Sequence, residues 1–209
     1  MTAPGATAGA PSREPAREPA RELTPEAVWD VLRTVNDPEI PMVSVVDLGI
    51  IQAVVIDAID AVDAIDAVDA VEGAVGGGSA VRIDMTPTFT GCPALDMMRS
   101  EIAAAVLSIG AARVDVRVVL DPPWSSDRIA PAAREAMRAI GLAPPPPATR
   151  FTADPTLALT LAAPDEPPTA CPFCGSMDTV TDNPFGSTLC RSVHYCNGCR
   201  QPFEAFKAL

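Results

Sequence analysis

A chain of 209 residues, 48% of them hydrophobic, has room for one main domain and something smaller. Its 15 Lys and Arg against 27 Asp and Glu give a formal net charge of −12, which argues against binding nucleic acid through phosphate neutralisation. No apolar run approaches the roughly 18–20 residues of a membrane span, so neither nucleic acid nor a membrane is an expected partner. The opening "MTAPGATAGAPSREPAREPAREL" lacks the apolar core of a secretory signal, and a cytoplasmic location is the default expectation.

Residues 1–22 carry Pro, Ala, alternating charge and a short "REPA" repeat, the composition of a disordered arm. A first helix is expected from Thr24 to Val35, with Thr24 as cap, Pro25 at the first position and Val28, Val31, Leu32 and Val35 on one face. "NDPEIP", with two prolines, reads as a loop. Val45–Ile56 reads as a strand, with Gly49 marking a bulge or bend. Val81–Thr86 alternates apolar and polar residues and reads as a second strand, paired with the first as an antiparallel hairpin.

Between those strands, residues 57–78 run "DAIDAVDAIDAVDAVEGAVGGG". A period of three rotates an apolar stripe by about 60° per repeat on a helix, so no face stays apolar. It reads as a low-complexity surface insertion rather than a cation-binding track. It also holds six of the acids, without which the net charge would be −6, so charge says little about partners.

A helix from Pro93 to about Ile109 follows, with Leu95, Met98, Ile102, Ala105, Val106 and Ile109 as its buried stripe. "ARVDVRVVL" is an alternating strand, and a helix joining two strands favours a parallel crossover. "DPPWSSD" is a turn in which Trp124 reads as a packing residue. Ile129, Ala133, Ala136, Met137 and Ile140 mark a last helix ending at Gly141. The order helix, strand, strand, helix, strand, helix makes residues 23–142 a small α+β domain with helices on a short sheet. Residues 143–170 are rich in Pro and Ala and read as a semi-extended linker.

Residues 171–209 hold five of the six cysteines and the single histidine. "CPFCGS" and "CNGC" are two C-x-x-C pairs, which in a reducing compartment more often bind metal than form disulfides. Two such knuckles can place Cys171, Cys174, Cys196 and Cys199 at the corners of a tetrahedron, which suits zinc better than iron. Gly175 and Gly198 supply flexible positions beside the sulfurs. A unit of this size buries little core, so metal is expected to provide its folding energy. Cys190 is either a possible additional ligand or a small packed residue, and His194 reads as a sheet residue rather than a ligand. Exchangeable C-x-x-C pairs would instead indicate a thiol oxidoreductase.

The sixth cysteine, Cys92, stands alone in "TPTFTGCPALDMM". Placed at a helix N-terminus, with Pro93 opening the helix, its thiolate would be stabilised by free N–H groups. Such a thiolate attacks electrophiles or ligates soft metals, whereas a buried cysteine does neither and merely packs.

Three segments, "DPEIPMVSVVDLGII", "MTPTFTGCPALDMM" and "DPPW", resemble the family of small iron–sulfur assembly proteins that includes the bacterial SufT type. With the tail "CPFCGS…DNPFGSTLCRSVHYCNGCRQPFEAFK", the chain is similar to the D-subunit family of phenylacetyl-CoA epoxidase systems. The resemblance implies a non-catalytic accessory protein that assembles or maintains an iron or iron–sulfur centre, alongside oxygenase and reductase subunits as partners. It implies that Cys92 is a transient iron or cluster ligand, with Asp37 and Glu39 as the acidic loop beside it; both acids also suit an ordinary turn around Pro38. The ribbon would hold its own zinc and serve for docking. A general iron–sulfur carrier and a zinc-ribbon regulator that binds nucleic acid are the alternative readings.

Overall fold

The computed structural model describes residues 23–58, 70–72, 79–89, 91–146 and 169–207. The expected arm, most of the repeat and most of the linker (residues 1–22, 59–69, 73–78 and 147–168) lie outside the described residues.

Helix α1, Pro25–Leu32, begins as the sequence suggests: the Thr24 hydroxyl accepts from the Ala27 N–H at 3.2 Å, and Pro25 opens the first turn. It ends before Val35, yet Val28, Leu32 and Val35 are all buried. The segment expected as a loop is instead a tight hairpin, β1 (Asn36–Asp37) paired with β2 (Ile40–Ser44). Its turn is closed by the Asp37 carboxylate, whose Oδ1 accepts from the N–H groups of Glu39 (2.8 Å) and Ile40 (2.9 Å).

The strand expected over Val45–Ile56 is two different things. Residues 45–50 are a turn, in which the Ile50 N–H reaches the Val45 carbonyl at 3.0 Å, and β3 starts only at Ile51 and runs to Ala58. Val45, Leu48 and Ile50 are fully buried in that turn, so their hydrophobicity imitated a strand. Gly49 permits it: its φ is +72°, and a Cβ there would lie 2.5 Å from Arg128 Cβ.

Strand β3 pairs antiparallel with β5 (Ser79–Met85), with Ala58 opposite Ser79, so the repeat enters at the tip of this hairpin. Part of the repeat is itself a strand: β4, Ala70–Glu72, pairs antiparallel with β6 (Arg113–Val118). An open sheet edge accepts any extended backbone, whatever its side-chain period. The crossover helix α2, Leu95–Ser108, joins β5 to a parallel β6, and the sheet order is β3-β5-β6-β4. Met98, Ile102 and Val106 of α2 meet Val81, Ile83 and Met85 of β5 in one core.

After α3, Pro131–Ala139, the chain forms a short strand, β7 (Leu142–Ala143), across the boundary expected between domain and linker. Strands β8 (Thr179–Asn183), β9 (Arg191–Cys196) and β10 (Gln201–Phe206) form the C-terminal ribbon. Strand β7 joins them in parallel with β10, giving the order β7-β10-β9-β8. The fold is therefore α+β with a C-terminal ribbon, and the ribbon sheet borrows its edge strand from the segment that directly follows α3. Cys190 and Phe206 lie in the same buried cluster as Val28, Ile83 and Trp124. Trp124 packs, as expected of it, and its indole N–H donates to the Leu48 carbonyl at 3.0 Å.

Candidate metal centre and thiol site

The two C-x-x-C knuckles are equivalent in backbone. In the first, the Gly175 N–H returns to the Cys171 carbonyl at 2.9 Å; in the second, the Arg200 N–H returns to the Cys196 carbonyl at 2.8 Å. The residue after each second cysteine is left-handed, Gly175 at φ +73° and Arg200 at φ +61°. Gly198, expected to be a turn glycine, serves differently: a Cβ there would lie 3.0 Å from Ser176 Oγ and 3.6 Å from Cys196 Sγ, so it admits the first knuckle against the second.

These knuckles gather four sulfurs. Cys171 and Cys199 are 3.6 Å apart at Sγ, as are Cys174 and Cys196, and all four lie within 4.8 Å of one another. A tetrahedral ion with metal–sulfur bonds of about 2.3 Å has sulfur–sulfur edges of about 3.8 Å. The spacing fits such an ion and is far too long for disulfide bonds. The Cys199 N–H points at Cys196 Sγ (3.5 Å), and this backbone contact is the main reason the Cys196 thiol is pulled down to about 7. A metal bound here would cross-link the two hairpin knuckles.

His194 and Cys190 stand apart from this set. His194 is buried in β9, stacked on Phe203 at 5.4 Å, with Nε2 2.9 Å from Ser192 Oγ. Cys190 precedes β9, whereas Cys196 ends it. Six extended residues span about 20 Å, so Cys190 lies out of reach of the tetrad.

Cys190 faces the other half of the chain instead. Its Sγ donates to Glu39 Oε2 at 3.1 Å and lies 3.1 Å from Thr188 Oγ1. Burial, above all, pushes this thiol up to about 12, with the Glu39 charge adding to it. Arg191 fixes the contact: Nη1 pairs with Glu204 at 2.9 Å, and Nη2 donates to the Glu39 backbone carbonyl.

Cys92 lies half-buried at the end of the β5–α2 connection. The helix begins at Leu95 rather than Pro93, so the thiol precedes the first turn instead of capping it. The expected low thiol pKa is also reversed. Burial, above all, pushes the Cys92 thiol up; the Ala94 N–H opposes it, the charges of Glu39 and Asp37 add to it, and the Leu95 N–H opposes it least. Asp37 is itself buried, which raises its carboxyl despite two N–H donors. Glu39 therefore acts on both isolated thiols, touching Cys190 directly and Cys92 through its charge. Among the described residues, the ribbon tetrad is the one group of three or more such side chains whose ligand atoms close to within 4.8 Å.

Two family profiles cover these two parts. Residues 25–118 match the iron–sulfur cluster assembly protein family, and residues 158–207 match the PaaD zinc beta ribbon domain. An Escherichia coli K12 protein, provisionally named as the D-subunit of 1,2-phenylacetyl-CoA epoxidase, is 32% identical over 182 residues, 87% of this chain and 92% of that protein. The chain belongs to this D-subunit family. The family relationship spans both the region that holds Cys92 and Glu39 and the ribbon, whose Cys190 meets Glu39. An iron–sulfur protein maturation auxiliary factor of Porphyromonas gingivalis is 33% identical over 119 residues, 56% of this chain and 91% of that protein. A solved domain of unknown function from Bacillus anthracis is 25% identical, with a TM-score of 0.40 over 54% of this chain and 89% of that one. Among the described residues, no helix is long and apolar enough to cross a membrane.

Proposed function

We propose that this chain is a non-catalytic accessory component of a phenylacetyl-CoA ring epoxidase system, and that it assembles or maintains the iron or iron–sulfur centre of that system in the cytoplasm. The observation that carries the reading is the similarity to an epoxidase D-subunit along both halves, including an iron–sulfur assembly region and a zinc ribbon. The oxygenase and reductase subunits are its partners. Zinc occupies Cys171, Cys174, Cys196 and Cys199 and holds the ribbon fold.

Cys92 is the thiol that takes iron or a cluster in transit, and Asp37 and Glu39 shape the acidic loop beside it. Burial chiefly keeps the Cys92 thiol protonated, and the charges of Glu39 and Asp37, which add to that effect, attract an arriving cation toward the sulfur. Iron displaces the thiol proton, and departure of the metal restores the neutral thiol, which suits transfer rather than storage. Asp37 holds the turn through its two N–H acceptor contacts and so positions Glu39.

Two assays in parallel test this. Cys92→Ala should keep its ribbon zinc yet fail to restore growth on phenylacetate to a strain lacking this protein. Turnover by oxygenase already loaded with iron should proceed equally with the variant. Full growth with Cys92→Ala would overturn the assembly role. Loss of unrelated iron–sulfur enzymes in the deletion strain would favour a general carrier, the reading suggested by the Porphyromonas gingivalis relative.

A further inference from the structure

The connection between β8 and β9 is tied down along its length, yet it leaves two large apolar side chains outside. Phe185 is 67% exposed and Leu189 48%. The Asn183 side-chain oxygen accepts from the Phe185 N–H at 2.9 Å, and the Gly186 N–H donates to the Arg191 carbonyl at 2.9 Å. Gly186 is closely packed there, since a Cβ would lie 2.8 Å from Arg191 Cβ. Ser187 donates from its N–H and its hydroxyl to the Glu204 carboxylate at 2.7 and 3.1 Å. Lys207, the single lysine of the chain, donates from Nζ to the Leu189 carbonyl at 2.9 Å and stands 5.3 Å from the centroid of the Phe185 ring. Isolated apolar residues are ordinary on a surface. Two of them on a loop fixed by its own hydrogen bonds, with an ammonium over the aromatic ring, form a preorganised anchor, because the ordering entropy is lost on folding rather than on binding.

Resting on the reading of this chain as an accessory of the epoxidase system, we propose that Phe185 is the anchor by which the ribbon docks on the oxygenase, entering an apolar socket with a carboxylate at its rim. Leu189 covers the mouth of the socket, and Lys207 pairs with the carboxylate. An ammonium carries three N–H donors and the Leu189 carbonyl takes one, which leaves donors for an acidic partner. In a chain of net charge −12, such a cationic spot fixes the orientation in which an acidic surface approaches. The anchor is continuous with an interface already made. Leu189 precedes Cys190, whose sulfur meets Glu39 at 3.1 Å, and Arg191 donates to the Glu39 backbone carbonyl. The side of the loop that faces inward holds the ribbon on the assembly domain, and its exposed side is left for the partner.

The test is calorimetric titration of the zinc-loaded full chain into iron-free oxygenase, with the reductase titrated in parallel. The wild type should bind the oxygenase. Phe185→Ala should weaken that binding at least about thirtyfold, the scale of a hot-spot truncation. Lys207→Gln should weaken it by a few fold and flatten its dependence on salt. Leu120→Ala removes a side chain that is 56% exposed on the assembly domain and should leave binding unchanged. Retained zinc and an unchanged circular dichroism spectrum would show that each variant is folded. If Phe185→Ala does not fold, Leu189→Asp places a charge at the mouth of the socket and should weaken binding to a similar extent. Wild-type affinity in folded Phe185→Ala would overturn the anchor. Binding to the reductase alone, or to neither protein, would overturn the assignment of the oxygenase as occupant. Growth of the Cys92→Ala strain judges the assembly role separately, so either proposal can fail without the other.

Discussion

Trp124, in the turn after β6, meets Phe206, the last residue of β10, edge to face with ring centroids 6.1 Å apart. This contact ties the end of the ribbon to the core of the assembly domain. Removing metal with a chelator should release the knuckles and free Phe206 from Trp124. In a Trp29→Phe background, the remaining Trp124 fluorescence should shift to longer wavelength as metal leaves and return when zinc is restored. Cys171→Ser should show the shifted spectrum from the start. An unchanged spectrum in metal-free protein would mean that the ribbon docks without its ion.

The paired left-handed positions after each knuckle differ in residue type, and the difference has a sign. Arg200 holds φ +61° with a side chain, where a left-handed L-residue costs about 1–2 kcal/mol. Arg200→Gly should be neutral or stabilising by up to about 1 kcal/mol, since relief of strain is partly offset by the entropy of glycine. Gly175→Ala should lose about 1 kcal/mol by the same argument. Thermal melts of the zinc-loaded full chain would measure both; equal effects of one sign would contradict the equivalence of the knuckles.

Titration of Cys92 should run opposite to that of a helix-capped thiol. Burial first, with the charges of Glu39 and Asp37 adding to it, raises its pKa above the ordinary thiol range, so the neutral thiol dominates at pH 7 and reactivity grows only well into the alkaline range. Alkylation of Cys92 in protein carrying only its ribbon zinc, followed by mass spectrometry of its peptide, should have its midpoint above that of a free cysteine, about 8.5. Glu39→Gln removes one negative charge and should move the midpoint down. A midpoint below 8 would restore the helix-terminus account of this residue, since free cysteine itself titrates near about 8.5.

The repeat enters where Ala58 faces Ser79, so it can be excised at the hairpin tip. Replacing residues 59–78 with a two-residue Asn-Gly turn should preserve the β3–β5 register. It also removes β4 and leaves β6 as a bare edge, which should reduce stability by about 1 kcal/mol or less while growth on phenylacetate is retained. Soluble, zinc-bearing protein that fails to support growth would assign the repeat a function.

Much of this molecule is written in short-range pattern. Alternation marked β5 and β6 because side chains on a strand point to opposite faces in turn, and Val81, Ile83 and Met85 are indeed buried. Thr24 and Pro25 opened α1 through contacts confined to one helical turn. The four knuckle cysteines were recognisable because each C-x-x-C places two sulfurs on one side of a single turn. Where several structures can bury the same apolar run, pattern failed: Val45, Leu48 and Ile50 are as buried in a turn around Gly49 as they would be in a strand. The pairing of β7 with β10, the edge strand drawn from the repeat and the approach of Cys190 to Glu39 join residues far apart in sequence. Such contacts leave no local period to read, because they form only when packed elements close long loops. The thiol of Cys92 followed the same rule: its neighbours in sequence argued for a thiolate, and the carboxylates and burial supplied by the folded chain decided for the neutral form.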